Sequence, residues 1–175
     1  MQKKNKKMDD RVKNYNQRIL KKLISEEYIA WNLYMQCIWV AETEISMLIQ
    51  GIFTEIANDE FSDHMKKLID FAKAYDLDVP YKMEQYEKYA DENLVKLMPK
   101  IKKSDNISYY LDLMIEAEKL AIVSYEEAID KNGLNDDLYS LILNIYYEEC
   151  GHLNDLNTVK FTAECEYGNP DLIIN

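Results

Sequence analysis

The chain has 175 residues, 47% of them hydrophobic, with only 4 Gly and 3 Pro. That is enough for one domain with a full core, and the long breaker-free stretches favour long helices over strands or disorder. A formal net charge of −11, from 32 acidic and 21 basic residues, would repel phosphates over most of the surface, so DNA is not an expected partner.

Met1–Asp10 is polar and carries Lys3, Lys4, Lys6 and Lys7. No apolar run follows it, so residues 1–9 read as a flexible basic tail and not as a secretory signal. Four long helical patterns then occupy a single domain, residues 10–167. The first runs from Asp10 to Ala41 and the second from Ser46 to Tyr75, stopped by Asp76-Leu77-Asp78-Val79-Pro80. A connection to Asn106 holds a predicted short helix, Lys82 to Met98, before Pro99. The third spans Ile107 to Asp130 and ends at Lys131-Asn132-Gly133, where glycine suits a left-handed cap. The fourth spans Asp136 to Phe161, and residues 168–175 form a C-terminal tail. The short third-to-fourth link makes those helices antiparallel neighbours, and the long second-to-third link can cross the bundle lengthwise. The expected fold is therefore all-α: an antiparallel four-helix bundle with one long crossover between helices 2 and 3.

Cys37, Cys150 and Cys165 are odd in number, far apart and form no C-x-x-C pair, which argues against disulfides or a zinc ribbon and points to a reducing, cytoplasmic setting. No stretch is long and apolar enough to span a bilayer, so no membrane partner is expected.

Steps of three and four residues trace the core-facing seam of each helix. The first seam is apolar or aromatic except for Glu27, and it includes Trp31 and Ile38. The second is interrupted by Glu60 and His64, the third by Glu118, the fourth by Glu149 and His152. All six fall near mid-helix, where antiparallel helices meet at one depth. His64 and His152 are the chain's only two histidines. Bare, such a cluster would be costly, because buried carboxylates lose hydration and repel each other, and no Lys or Arg sits on any seam. Two divalent ions supply the missing charge. Carboxylate oxygens and neutral imidazoles suit iron or manganese, and four Glu with two His is the inventory of a di-iron carboxylate bundle. Any one of these residues alone reads as a half-exposed glutamate or a hydrogen-bonded core histidine; their coincidence points to metal. Glu26 and Glu116 also lie near the apolar faces and compete for the roles of Glu27 and Glu118.

At these residues the chain resembles the ferritin-like superfamily, in particular bacterioferritins and Dps-like proteins. The likeness spans most of residues 15–160. It is carried by Glu27-Tyr28-Ile29-Ala30-Trp31-Asn32-Leu33-Tyr34, with a tyrosine seven residues after the glutamate. Ala117-Glu118 through Tyr125-Glu126-Glu127-Ala128 carries it too, as does the E-x-x-H of Glu149-Cys150-Gly151-His152. The second helix departs from the pattern. Glu60 lies four residues before His64, not three, and Phe61 stands where a glutamate is expected. A π-bulge could absorb the extra residue; a Glu60/Asp63 pair, or a degraded site with one weak metal position, are the alternatives. Ser62 stands where a bacterioferritin would offer a haem-binding methionine, so no haem is expected. The resemblance implies a homo-oligomeric shell, two iron ions, and oxidation of Fe(II) by O2 or H2O2 for iron storage or detoxification. It also implies a redox role for Tyr34, whose alternative is core packing. A rubrerythrin-like or manganese-catalase-like peroxide-consuming enzyme, or a metal-free helical assembly module, are the rival readings.

Overall fold

The computed structural model describes residues 9–41, 43–104, 106–130 and 133–167. The expected tails, 1–9 and 168–175, lie outside these apart from Asp9, as do Lys131 and Asn132 of the expected turn. Helix α1 (Asp10–Val40) starts on Asp9, whose carboxylate accepts the Arg11 N–H at 3.0 Å and satisfies one of the free donors of the first turn.

The second rod is continuous but not uniform. Helix α2 (Thr43–Asn58) runs into a π-helical turn (Asp59–His64) and then into α3 (Met65–Ala74). Asn58, His64 and Met65 all keep right-handed helical backbone, so the axis is not broken. The rod ends where Asp76 adopts a left-handed φ of 55° and the Leu77 N–H closes on the Ala72 carbonyl at 2.9 Å.

The crossover differs from the expected single helix Lys82–Met98. It folds as α4 (Met83–Tyr89), α5 (Glu92–Val95) and a 3₁₀ turn (Met98–Lys100). The break falls at Asp91, whose side chain caps α5 by accepting the Asn93 N–H at 2.8 Å while its own N–H donates inward to Glu26 at 3.0 Å. An Asp is a helix N-cap before it is a helix interior residue, and here it redirects the chain without Gly or Pro.

Helix α6 (Ile107–Ile129) starts on Asn106, which accepts the Ser108 N–H at 2.9 Å. Helix α7 (Asp136–Tyr167) continues past the expected stop at Phe161, because no Gly or Pro intervenes before Gly168. Contacts that run 27 with 125 and 34 with 118 make α1 and α6 antiparallel. Those that run 60 with 152 and 64 with 149 make the second rod and α7 antiparallel. The architecture is the expected four-helix bundle with one long crossover.

The apolar core lies in two halves. One contains Leu33, Tyr34, Cys37, Phe53, Tyr110 and Met114; the other contains Leu20, Leu23, Leu68, Tyr125, Ile142 and Ile145. A polar layer separates them. On α1 the interior is taken by Leu33 and Cys37, and the expected seam residues Trp31 and Ile38 are only half-buried: a 3.6-residue helix drifts away from a strict 3.5-residue seam over its length. Among the described residues no helix is long and apolar enough to cross a membrane.

Candidate metal centre

The polar layer consists of Glu27 on α1, Glu60 and His64 on the π turn, Glu118 on α6, and Glu149 and His152 on α7. All six are buried. The structure thus brings every one of these sequence-predicted residues to one place. The π turn sets how Glu60 and His64 are offset on their shared face. Four residues along a regular α-helix overshoot a full turn, whereas along the wider π turn they fall short of one, as three residues do along α7. It does for Glu60 and His64 what E-x-x-H spacing does for Glu149 and His152. Asp63, the alternative partner, is half-exposed and pairs closely with Lys67.

Within this layer two donor groups form, each with its ligand atoms within 4.8 Å of one another: Glu27, Glu60, His64 and Glu149, and Glu60, Glu118, Glu149 and His152; a third, partly exposed group of Asp63, His64 and Glu148 lies on its outer side. Glu60 and Glu149 belong to both. His64 Nδ1 lies 3.1 Å from Glu149 Oε1 and 3.3 Å from Glu27 Oε2; His152 Nδ1 lies 3.5 Å from Glu60 Oε1 and 3.7 Å from Glu118 Oε2. The two imidazoles stack loosely, with centroids 5.5 Å apart.

At these separations the atoms are close but badly angled for one another. Glu27 Oε2, Glu60 Oε1, His64 Nδ1, Glu118 Oε2, both Glu149 oxygens and His152 Nδ1 are all buried without a hydrogen-bond partner. Orphaned buried polar atoms are rare in folded proteins. Seven converging on one volume is what a donor set presents to cations placed between them. Four carboxylates with two neutral imidazoles balance two divalent charges, so the residues fit a pair of such ions.

The outward-facing atoms are held. Tyr34 O–H donates to Glu118 and Tyr125 O–H donates to Glu27. His64 Nε2 lies 2.9 Å from Glu148 Oε2, and His152 Nε2 lies 3.4 Å from Asp59 Oδ2. A carboxylate behind each imidazole fixes which nitrogen faces inward. The layout has an approximate two-fold symmetry. Each single-Glu helix carries a tyrosine seven residues on, which bonds the other helix's glutamate. Each shared glutamate follows an acidic residue that backs the other rod's histidine.

The charges are strongly coupled. Burial, then repulsion from Glu149 and Glu27, holds the Glu60 carboxyl well above the ordinary range. Burial raises Glu118 to about 8. Burial acts to raise Glu149 too, but the close His152 and His64 imidazoles outweigh it and hold this carboxyl at about 2. For His64, burial pulls downward and is overcome by Glu27 and Glu149, which push it up to about 12; His152 is raised in the same way by Glu118, Glu149 and Glu60. Burial, then Glu118, raises the Tyr34 phenol, and burial, then Glu27, raises Tyr125, so both remain donors.

The competing glutamates lie elsewhere. Glu116 is exposed beside Lys100 at 3.5 Å. Glu26 is buried but turned to the Asp91 N–H and the Ser124 hydroxyl, at 3.0 and 3.1 Å. Tyr125, Asp59 and Glu148 received no role from the sequence. The signals were there: Tyr125 repeats the seven-residue offset of Tyr34, and Asp59 and Glu148 each precede a shared glutamate.

The sequence profile of the ferritin family, described as a ferritin-like domain, matches residues 17–160. No curated protein matches in sequence. Among solved structures, the chain is similar to a dodecameric thioferritin, the bacterioferritin-related protein from Bacteroides fragilis. Identity is 20%, the TM-score is 0.72, and the match covers 93% of this chain and 92% of that one. It is also similar to Dps from Thermosynechococcus elongatus, with 14% identity, a TM-score of 0.73, and 94% and 98% of the two chains covered. At these identities the likeness is one of fold.

Proposed function

The chain belongs to the ferritin-like domain family, and on that footing we propose that its buried centre takes two Fe(II) ions as substrate and oxidises them with O2 or H2O2, for iron storage or detoxification. The observation that supports this best is the set of seven orphaned donor atoms arranged as two groups sharing Glu60 and Glu149. Glu27 and His64 would be the terminal ligands of one ion, and Glu118 and His152 those of the other. Glu60 and Glu149 would bridge. Each Fe(II) gives up one electron to the oxidant, whose reduced oxygen takes protons to become peroxide or water. The protein's own part is to hold the ions at fixed separation, to keep the layer dry between two apolar half-cores, and to clamp the terminal carboxylates through Tyr34 and Tyr125. Manganese suits the same donors. Tyr34 stands near enough to act as a redox partner. A shell of identical copies would collect the oxidised iron, and the dodecameric assembly of the thioferritin supports that reading. Three cysteines without a disulfide suit a reducing cytoplasm.

Replacing Glu149 and His152 together by Ala removes one bridge and one terminal ligand. Rapid Fe(II) oxidation, followed by ferric absorbance after mixing with air or peroxide, should be lost while circular dichroism stays helical. Unchanged oxidation kinetics in a folded variant would overturn the assignment. Steady consumption of peroxide with no accumulating ferric mineral would move the reading to a peroxide-consuming enzyme on the same fold.

A further inference from the structure

The approximate symmetry of the centre fails in one place, just outside it. Glu148, which backs His64, is itself engaged: the Lys67 ammonium lies 3.5 Å from both Glu148 oxygens and pairs closely with Asp63, one turn before it on the same rod. Asp59, which backs His152, has no such partner. Among the described residues no lysine or arginine pairs with it, its side chain is 50% exposed, and it stands 3.4 Å from the imidazole where Glu148 stands at 2.9 Å. The residue three beyond His64 is Lys67; three beyond His152 is Asp155, exposed and acidic. The residue before His64 is Asp63; before His152 it is Gly151, where an added Cβ would meet nothing within 4 Å. One histidine thus sits behind a closed clasp of three charged side chains from two helices, and the other behind a single carboxylate in open water.

We infer that Lys67 is a positioning residue for one of the two metal positions: by bracing Glu148 it fixes the His64 imidazole and makes the Glu27/His64 position the tighter of the two. This rests on the two-metal reading above. An imidazole with its outer nitrogen fixed needs no reorientation to bind, so its ion is held more firmly. The opposing effect is repulsion of a divalent ion by the ammonium. It is weak here, because Lys67 is 37% exposed, Glu148 43%, and the imidazole and carboxylate lie between the ammonium and the ion position. Orientation therefore outweighs charge. The Glu118/His152 position, behind a loosely held carboxylate, becomes the exchanging one.

The test is anaerobic titration of the intact protein with Co(II), read by calorimetry and by the visible absorption of the bound ion, so that no oxidation is involved. The wild type should bind two Co(II) per chain in two resolved steps. Lys67→Gln should weaken the tighter step about tenfold, the lower end for a group behind a metal-bound histidine, and leave the weaker step unchanged. Lys67→Arg should restore the separation. In a His152→Ala background the effect of Lys67→Gln on the remaining step should persist; in a His64→Ala background it should vanish. Lys67 lies on the surface, and unchanged urea unfolding of the Lys67→Gln apoprotein would show that the fold is intact. Two wild-type steps that Lys67→Gln leaves alone, or shifts equally, or shifts only at the weaker step, would overturn the inference and leave the two-metal reading standing. Failure of the wild type to bind Co(II) would overturn both.

Discussion

Glu26 and Glu27 are neighbours on α1 with the same near-complete burial, yet they face different surroundings. Glu27 points into the donor cluster. Glu26, about 100° round the helix, ties α1 to the crossover through Asp91 and to α6 through Ser124. Burial is the chief cause that raises its carboxyl from the usual 4.5 to about 8, against the lowering effect of Lys22. Below pH 4.5 this group is protonated folded and unfolded, and contributes no pH dependence. Between about 4.5 and 8 the unfolded chain gives up the proton and the folded chain keeps it, so stability falls as pH rises; above 8 the loss is complete. Glu26→Gln keeps the accepting oxygen and cannot ionise. In chelator-treated protein it should be more stable than wild type at pH 9, on the order of a few kcal/mol, with the gap closing toward pH 4.5. Urea unfolding at both pH values measures it, and a gap that ignores pH would refute the argument. Sequence left Glu26 and Glu27 as rivals because a seam of alternating three- and four-residue steps tolerates a one-residue shift, and only the neighbours on other helices separate them. The same limit hid Tyr125, Asp59 and Glu148, whose partners are 98, 93 and 84 residues away in the chain.

Among the elements, the π turn is where sequence and structure meet most informatively. The four long rods were legible because apolar periodicity persists over many turns, while Pro80 and Pro99 fall in the crossover and Gly133 in the link between α6 and α7. The second-helix mismatch was legible as well, since Glu60 and His64 stand four apart where Glu149 and His152 stand three apart. What periodicity could not show was the crossover. Its break rests on one backbone N–H of Asp91 reaching a buried glutamate, a long-range contact without local signature. If the π turn absorbs one surplus residue, deleting Phe61, which is 42% exposed, should return the rod to regular α-helix. Glu60 and the histidine would then stand three apart, matching α7. We expect two divalent ions per chain to be retained by elemental analysis, with an apoprotein melting point equal to or above that of wild type. Loss of one ion would mean that the π geometry itself is required.

For the whole molecule, the polar layer divides the apolar core, so each half packs on its own side of a plane of buried carboxylates and imidazoles. Without metal, seven buried donor atoms of that layer have no hydrogen-bond partner. Ions that bind the folded chain and not the unfolded one add stability by mass action, about 2.7 kcal/mol at a hundredfold excess over the dissociation constant. Scanning calorimetry should therefore show the transition rising with added Mn(II) and falling back on chelation. A midpoint indifferent to both would argue for a metal-free bundle.

Each ion would draw three of its four ligands from one helical hairpin and a single bridging glutamate from the other. The crossover between those hairpins, residues 75–106, supplies none. Beside their shared apolar packing, the halves would then be joined by peptide and by coordination bonds through the middle of the fold. The peptide link is permanent; the other can be made and undone by supplying or withdrawing a cation. A chain cut within the crossover would leave two pieces held by the two half-cores, the Tyr34–Glu118 and Tyr125–Glu27 bonds and the metal, which makes the ion a removable pin between two structural arms.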